Sequence, residues 1–287
     1  MAGSRASKPK IRKASGQMAT YSEAKLRRSL RRSGADPGAV DAIVQTLNSE
    51  LYPGMTTREI YNRAFSLLRA YRNSFASRYK LKRAIYELGP TGFPFEKFVA
   101  ALLNHSGYSA TTNVILHGDC VDHEVDVVAR NGDTQTLIEC KFHADDGRKC
   151  HVKVPLYIDS RFRDIAAGSD KNGALDIRLE PGWVVTNTRF TSDALKYGNC
   201  AGLYLLSWNH PRGNGLKDRI DRHRLYPITV SMLLSGREKE FLLGREVVLG
   251  RQLLESAFLL DHLGVSRERK DRILGEFLEL CEPKNKT

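Results

Sequence analysis

The sequence predicts a mixed α/β domain set between two helical regions. Three observations carry this. Apolar residues recur at helical spacing up to about residue 88, and a helix, strands, helix, strand, helix, strand succession then follows to about residue 208. Beyond Asn209 the strand signals fade and amphipathic helical patterns return. The expected divisions are a disordered tail over 1–10, a helical domain over 11–88, an α/β domain over 89–208 and a helical region over 209–287.

Each element has its own signal. Ser22 to Arg32 reads as a helix that runs into Gly34, Asp36, Pro37 and Gly38, a stop followed by a fresh start. Val40, Ile43, Val44, Leu47 and Leu51 form the face of a second helix. Pro53-Gly54 turns the chain, and Thr57 opens a third helix with Ile60, Ala64, Leu67 and Leu68 inward. Tyr79 to Leu88 reads as the last of this set. Phe95 to Leu103 is a helix ending near Gly107, Tyr108 to Leu116 a strand, and Tyr157 to Ile165 a helix. Gly182 to Asn187 and Gly202 to Ser207 are short buried strands either side of a helix over Ser192 to Tyr197. Arg245 to Leu263 and Ser266 to Cys281 complete the pattern as amphipathic helices, Ser266 serving as N-cap.

The most informative stretch is a hairpin. His123 to Ala129 is an apolar, β-branched run carrying Asp126, and Leu137 to Phe142 carries Glu139-Cys140-Lys141. Asn131-Gly132-Asp133-Thr134 lies between them, and Asn-Gly is a strong hairpin signal. With those four residues as the loop, Arg130 pairs with Gln135 and Asp126 stands opposite Glu139. A register shifted by two still leaves Asp126, Glu139 and Lys141 on one face. Facing carboxylates weaken a strand pair. A divalent cation between them, with the Lys141 ammonium alongside, offsets that repulsion.

Composition narrows the function classes. Residues 1–88 hold 18 Lys and Arg against 6 Asp and Glu, so the whole net charge of +12 belongs to this part. A concentrated positive field attracts polyanions, either nucleic acid or nucleotide phosphates. No run approaches the length of a membrane span, and the first ten residues lack the apolar segment of a secretory signal. Five scattered cysteines suit reduced thiols, and the expected location is cytoplasmic. Cys140, His143, Cys150 and His151 are zinc-ligand types, but their spacing fits no ligand framework. His123 reads as a strand-edge residue rather than a general base.

Glu96 on a helix, Asp126 on a strand and Glu139-x-Lys141 on the next strand resemble the PD-(D/E)xK nuclease superfamily, and within it the Mrr-like restriction endonuclease domain. The resemblance spans about 89–208 and includes Gly92-Phe-Pro-Phe-Glu96, Gly107-Tyr108, Thr186-Asn187 and Thr191-x-x-Ala194. Val125 stands where the nominal signature has proline, and the segment from Cys150 to Tyr157 carries no glutamine where such enzymes often have one. The resemblance implies a restriction-endonuclease-like three-layer core and Mg²⁺ (or Mn²⁺) held by Asp126, Glu139, the Cys140 backbone carbonyl and Glu96. Asp126, Glu139, Lys141 and Glu96 are then the catalytic set, with Lys141 acting on the attacking water or on the phosphorane.

Ile11-Arg12-Lys13-x-x-Gly16 followed by Tyr21-Ser22-x-x-Lys25-Leu26 resembles an ATP-cone, a small helical nucleotide-binding domain, and Thr56-Thr57-x-x-Ile60 extends the likeness over 11–88. It implies ATP or dATP beside Ile11, Arg12, Lys13 and Lys25. No P-loop motif occurs in the chain.

The expectation is a metal-dependent endonuclease acting on DNA, modulated by ATP or dATP, in restriction, defence or DNA maintenance. Its rivals are a nucleotide-sensing DNA-binding regulator with an inactive nuclease fold, and a nuclease acting on RNA or structured DNA. Leu242, Leu243, Val247, Val248, Leu253, Leu254 and Leu259 are expected to form core or a homodimer interface.

Overall fold

The computed structural model describes residues 9–13, 15–145, 147–171 and 178–282. Most of the expected N-terminal tail lies outside the described residues, and Lys10 already belongs to a strand. The chain divides into two compact units, residues 1–81 and 82–287.

The first unit opens with a hairpin that the helical expectation missed. Strands β1 (Lys10–Arg12) and β2 (Met18–Thr20) pair antiparallel, Ile11 against Ala19. Four helices follow: α1 (Glu23–Arg32), α2 (Pro37–Glu50), α3 (Thr57–Tyr71) and α4 (Asn73–Tyr86), whose last turn enters the second unit. Asp36 caps α2 by accepting from the Ala39 N–H at 2.9 Å, with Pro37 in the first helical turn. Thr56 and Glu59 close α3 with a reciprocal capping box. Leu30, Ile43, Leu47 and Leu68 are fully buried, with Ile11 and Tyr21 in the same core.

The second unit is built on a six-stranded mixed sheet. After α5 (Phe93–Asn104) come β3 (Ser109–His117), β4 (Asp122–Asn131) and β5 (Thr134–Lys141), an antiparallel meander. Helix α6 (Lys153–Lys171), β6 (Arg178–Leu179), β7 (Trp183–Thr186), α7 (Ser192–Cys200) and β8 (Tyr204–Leu206) continue it, with β5, β7 and β8 parallel and β6 beside the start of β5. Parallel neighbours need crossovers, and α6 and α7 supply them. Leu137, Val184 and Leu205 face Ile158, Phe162 and Ile165 of α6. Alternation turns Ile138 and Cys140 to the other side, where Phe95 of α5 meets Phe142. Helices therefore cover both faces of the sheet, a three-layer mixed α/β arrangement.

The remainder is helical: α8 (Leu216–His223), α9 (Gly236–Gly244), α10 (Gly250–Glu255), α11 (Phe258–His262) and α12 (Arg267–Cys281). The single helix expected over Arg245 to Leu263 is a correction. Glu246 takes a left-handed φ of 60°, and the Gln252 side chain accepts the Val248 and Leu249 N–H groups at 2.9 and 2.8 Å, starting a new helix. Of the seven apolar residues singled out here, Leu242, Val247, Val248, Leu253 and Leu259 are buried within the chain. Their apolar density is accounted for by the core.

Candidate active site

The hairpin pairs Arg130 with Gln135 and Asn131 with Thr134, so Gly132 and Asp133 form the turn. Gly132 has φ 60°, the left-handed backbone that such a turn demands. The ladder continues to Val127 opposite Ile138, one step short of Asp126 and Glu139. At that step the strands exchange a different contact: Asp126 Oδ2 accepts the Cys140 backbone N–H at 2.7 Å.

Three carboxylates act electrostatically on Cys140. Asp126 and Glu139 come from the hairpin and Glu96 from the first turn of α5. All three are partly buried, and each proton affinity is raised, first by burial. Glu96 and Glu139 are both pushed up to about 7, the negative charge of Asp126 adding to the burial of each. The Cys140 thiol, wholly buried, is raised well above its usual range by burial and by these same three neighbours. Among the described residues no three acidic, histidine or cysteine side chains are drawn into one ready-made metal cluster. The donor chemistry nevertheless suits a hard cation, because every available group is oxygen and mutual repulsion is the charge pattern a cation relieves.

Arg161 of α6 is the residue that sequence reasoning missed. Its Nη1 donates to Glu139 Oε2 at 2.8 Å and its Nη2 to the Glu124 carbonyl, while the guanidinium lies 5.6 Å from the Tyr157 ring centroid. The ion pair of Glu139 is thus with Arg161 and not with Lys141. Lys141 ends β5 with an exposed side chain, and its carbonyl accepts the Thr186 hydroxyl at 2.7 Å. No local pattern announces Arg161, since 22 residues separate it from Glu139. Asn113, also missed, donates to Glu124 Oε1 at 3.3 Å.

His123 is structural. Its Nε2 lies 2.8 Å from Asp164 Oδ2, and the same carboxylate accepts the Cys120 and Val121 N–H groups. The loop before β4 is thereby fastened to α6.

In the first unit, Ile11, Lys13 and Lys25 line a cavity of about 340 Å³ together with Tyr21, Tyr61 and Tyr79. Tyr61 and Tyr79 are stacked, centroids 5.0 Å apart at 18°. Among the described residues the buried Tyr21 hydroxyl has no hydrogen-bond partner. Arg12 is not among the lining residues; strand alternation turns it away, toward Tyr52 and Glu59.

Comparison with known proteins agrees with the second unit's fold. Residues 90–155 match the family model described as restriction endonuclease, and residues 226–281 match the model described as AF1548-like, C-terminal. An uncharacterized protein of Archaeoglobus fulgidus is 37% identical over 132 residues, which is 46% of this chain and 70% of that protein. The crystal structure of a protein of unknown function, AF1548, is similar at a TM-score of 0.54 and 29% identity, covering 67% of this chain and 98% of that one.

Proposed function

The chain belongs to the AF1548-like family, and we propose that it is a divalent-cation-dependent nuclease hydrolysing DNA phosphodiester bonds, with ATP or dATP as a ligand of its first unit. The restriction-endonuclease match over 90–155 encloses Glu96, Asp126, Glu139 and Lys141. The single observation that carries the reading is that Asp126 Oδ2 holds the Cys140 N–H, which brings its carboxylate beside Glu139 on the neighbouring strand.

Asp126, Glu139 and the Cys140 carbonyl, with Glu96 beside them, would hold Mg²⁺ or Mn²⁺. Such an ion, when bound, polarises the phosphodiester and makes a neighbouring water a better nucleophile. Asp126 keeps its Oδ2 on the Cys140 N–H, leaving Oδ1 as the donor. Glu139 keeps Oε2 on Arg161, leaving Oε1. Each carboxylate is thus fixed by one oxygen and, among the described residues, unbonded through the other. Lys141, exposed at the strand end, orients the attacking water or takes up charge on the phosphorane.

The cavity lined by Ile11, Lys13 and Lys25 supports the nucleotide part of the proposal. Two lysines suit phosphates, and a stacked tyrosine pair offers a surface for a base.

A second reading, a nucleotide-sensing DNA-binding regulator that does not cut, is favoured by the Arg161–Glu139 ion pair, which neutralises Glu139 without a metal. Supercoiled plasmid incubated with Mg²⁺ or Mn²⁺ separates the two. Nicking by the wild type that disappears in Asp126→Ala supports the nuclease. Binding without cleavage under either metal would move the assignment to the regulator. Repeating the assay with ATP and dATP tests the first unit.

A further inference from the structure

Strand β3 contains an anomaly opposite Asp126. Thr112 pairs with Val127 and Val114 with Val125, so the register is unbroken on both sides of Asn113, which faces Asp126. Asn113 nevertheless has φ 55°, the left-handed region, in the middle of a nine-residue strand. Asn tolerates that region better than most residues, but a strand interior is an unusual place for it.

The consequence appears in which way the neighbours point. In a regular strand, residues 110, 112, 114 and 116 share one face. Here Val114 and Leu116 pack with Ile158 and Phe162 of α6. In β4, Val125 and Val128, an odd and an even position, both enter this α6-side core. Paired residues share a face, so Val114 and Thr111, the β3 partners of Val125 and Val128, point the same way despite their opposite parity. The ribbon therefore turns over at the Asn113–Asp126 step. At that step Asp126 Oδ2 holds the Cys140 N–H, next to the Glu139–Arg161 pair, and its charge acts on Glu96 of α5. The Asn113 carboxamide is tied to that crossover through Glu124 Oε1 at 3.3 Å.

We infer that Asn113 is a positioning residue of the candidate site: its left-handed backbone turns the β3–β4 ribbon over at Asp126, and its carboxamide holds Glu124, whose carbonyl receives Arg161, beside the same point. The inference rests on the nuclease reading and adds a residue to it. Two parts of one side chain are involved, and substitutions separate them. Glycine keeps the left-handed backbone and removes the carboxamide. Aspartate keeps the size and the backbone tolerance but sets a third carboxylate against Glu96 and Glu124.

The test compares wild type, Asn113→Gly and Asn113→Asp in plasmid nicking, with kcat and KM for DNA separated, alongside calorimetric Mn²⁺ titration and thermal melting of each protein. Asn113→Gly is expected to melt as the wild type does. Its kcat should fall and its Mn²⁺ affinity weaken by about 10-fold or more, with KM for DNA unchanged. Asn113→Asp should lose more in both. Wild-type kcat and Mn²⁺ affinity in Asn113→Gly, with wild-type cleavage intact, would overturn the positioning role of the carboxamide and leave the nuclease standing. A loss of activity that merely tracks a loss of folded protein would overturn it too, making Asn113 scaffold alone. A wild type that neither cuts nor binds Mn²⁺ would remove the nuclease reading and this inference with it.

Discussion

Arg161 Nη1 stands 2.8 Å from Glu139 Oε2, joining α6 to the end of β5 across the layer boundary. Both side chains are largely shielded, at 14% and 18% exposure, so the pair is screened far less than a surface one. Arg161 restrains Glu139 electrostatically, lowering a proton affinity that burial and Asp126 raise.

Removing that restraint has a defined direction. In Arg161→Ala the Glu139 carboxyl should ionise only at higher pH, and Mn²⁺ binding should require correspondingly more alkaline solution. Cleavage at neutral pH is expected to drop by about 10-fold. Arg161→Lys restores the charge without the two-pronged reach to Glu139 and the Glu124 carbonyl, so recovery should be partial. Mn²⁺ titrations across neutral pH would check this; an unchanged midpoint in Arg161→Ala would discard the role.

The metal-free protein should lose stability as pH rises toward neutrality. Glu96 and Glu139 are held at about 7 in the folded chain, above the ordinary value of 4.5. Between those values the folded state keeps protons that the unfolded state has released, so the slope of stability against pH is negative. Glu238, lowered to about 2 chiefly by Arg269, works in a different window: its contribution is present above 4.5 and is lost as pH falls toward about 2. Thermal melts in chelator should therefore fall from mildly acid to slightly alkaline pH, and Mg²⁺ should raise the melting point more at the alkaline end. Equal Mg²⁺ effects at both ends would uncouple these carboxylates from the cation.

Two helical glycines should respond oppositely to alanine. A Cβ on Gly168 of α6 would lie 2.5 Å from the Gly118 carbonyl carbon and 2.8 Å from the Asp119 nitrogen, backbone that cannot step aside. Gly168→Ala is expected to cost about 1–3 kcal/mol through overpacking. A Cβ on Gly275 of α12 meets nothing within 4 Å, and Gly275→Ala should gain about 0.5–1 kcal/mol. Urea denaturation of both variants measures the contrast.

Nucleotide should stabilise the protein if the cavity beside Lys13 and Lys25 is its site. A ligand at 100 times its Kd adds about 2.7 kcal/mol to the folded state it binds. Thermal shift with ATP or dATP should exceed that with inorganic triphosphate, because the Tyr61–Tyr79 stack offers contact to a base. Lys13→Ala combined with Lys25→Ala should abolish the shift. No shift with any nucleotide would retire the proposal.

How much of this was legible beforehand depended on the range of the interaction. The Arg130–Gln135 register follows from a turn signal and a period of two, both local, and so the Asp126–Glu139 juxtaposition was readable. Arg161 and its 22-residue separation were not, because α6 must first pack on the sheet before the contact exists. The hairpin of β1 and β2 was hidden by its length: three residues per strand give periodicity too little to work on. The start of α10 at Gly250 rather than at Arg245 was hidden because Gln252 caps by a side-chain reach that apolar spacing does not record. Asn113 left a faint trace, a residue of poor strand preference among Thr, Val, Ile and Leu. Nothing in that trace reveals that the ribbon turns over there.

The turn at Gly132 and Asp133 also makes the site sensitive to one kind of genetic change above others. Asp126 and Glu139 are joined by a single short loop, so their alignment is a counting relationship along the chain. Inserting or deleting one codon in that loop leaves every side chain of the site in the gene. With the two-residue turn kept, it would slide β5 by one residue, sending Glu139 and Lys141 to the α5 face and bringing Cys140 (on deletion) or Ile138 (on insertion) across from Asp126. A substitution at the turn costs at most some stability, whereas a length change there disassembles the carboxylate pair outright.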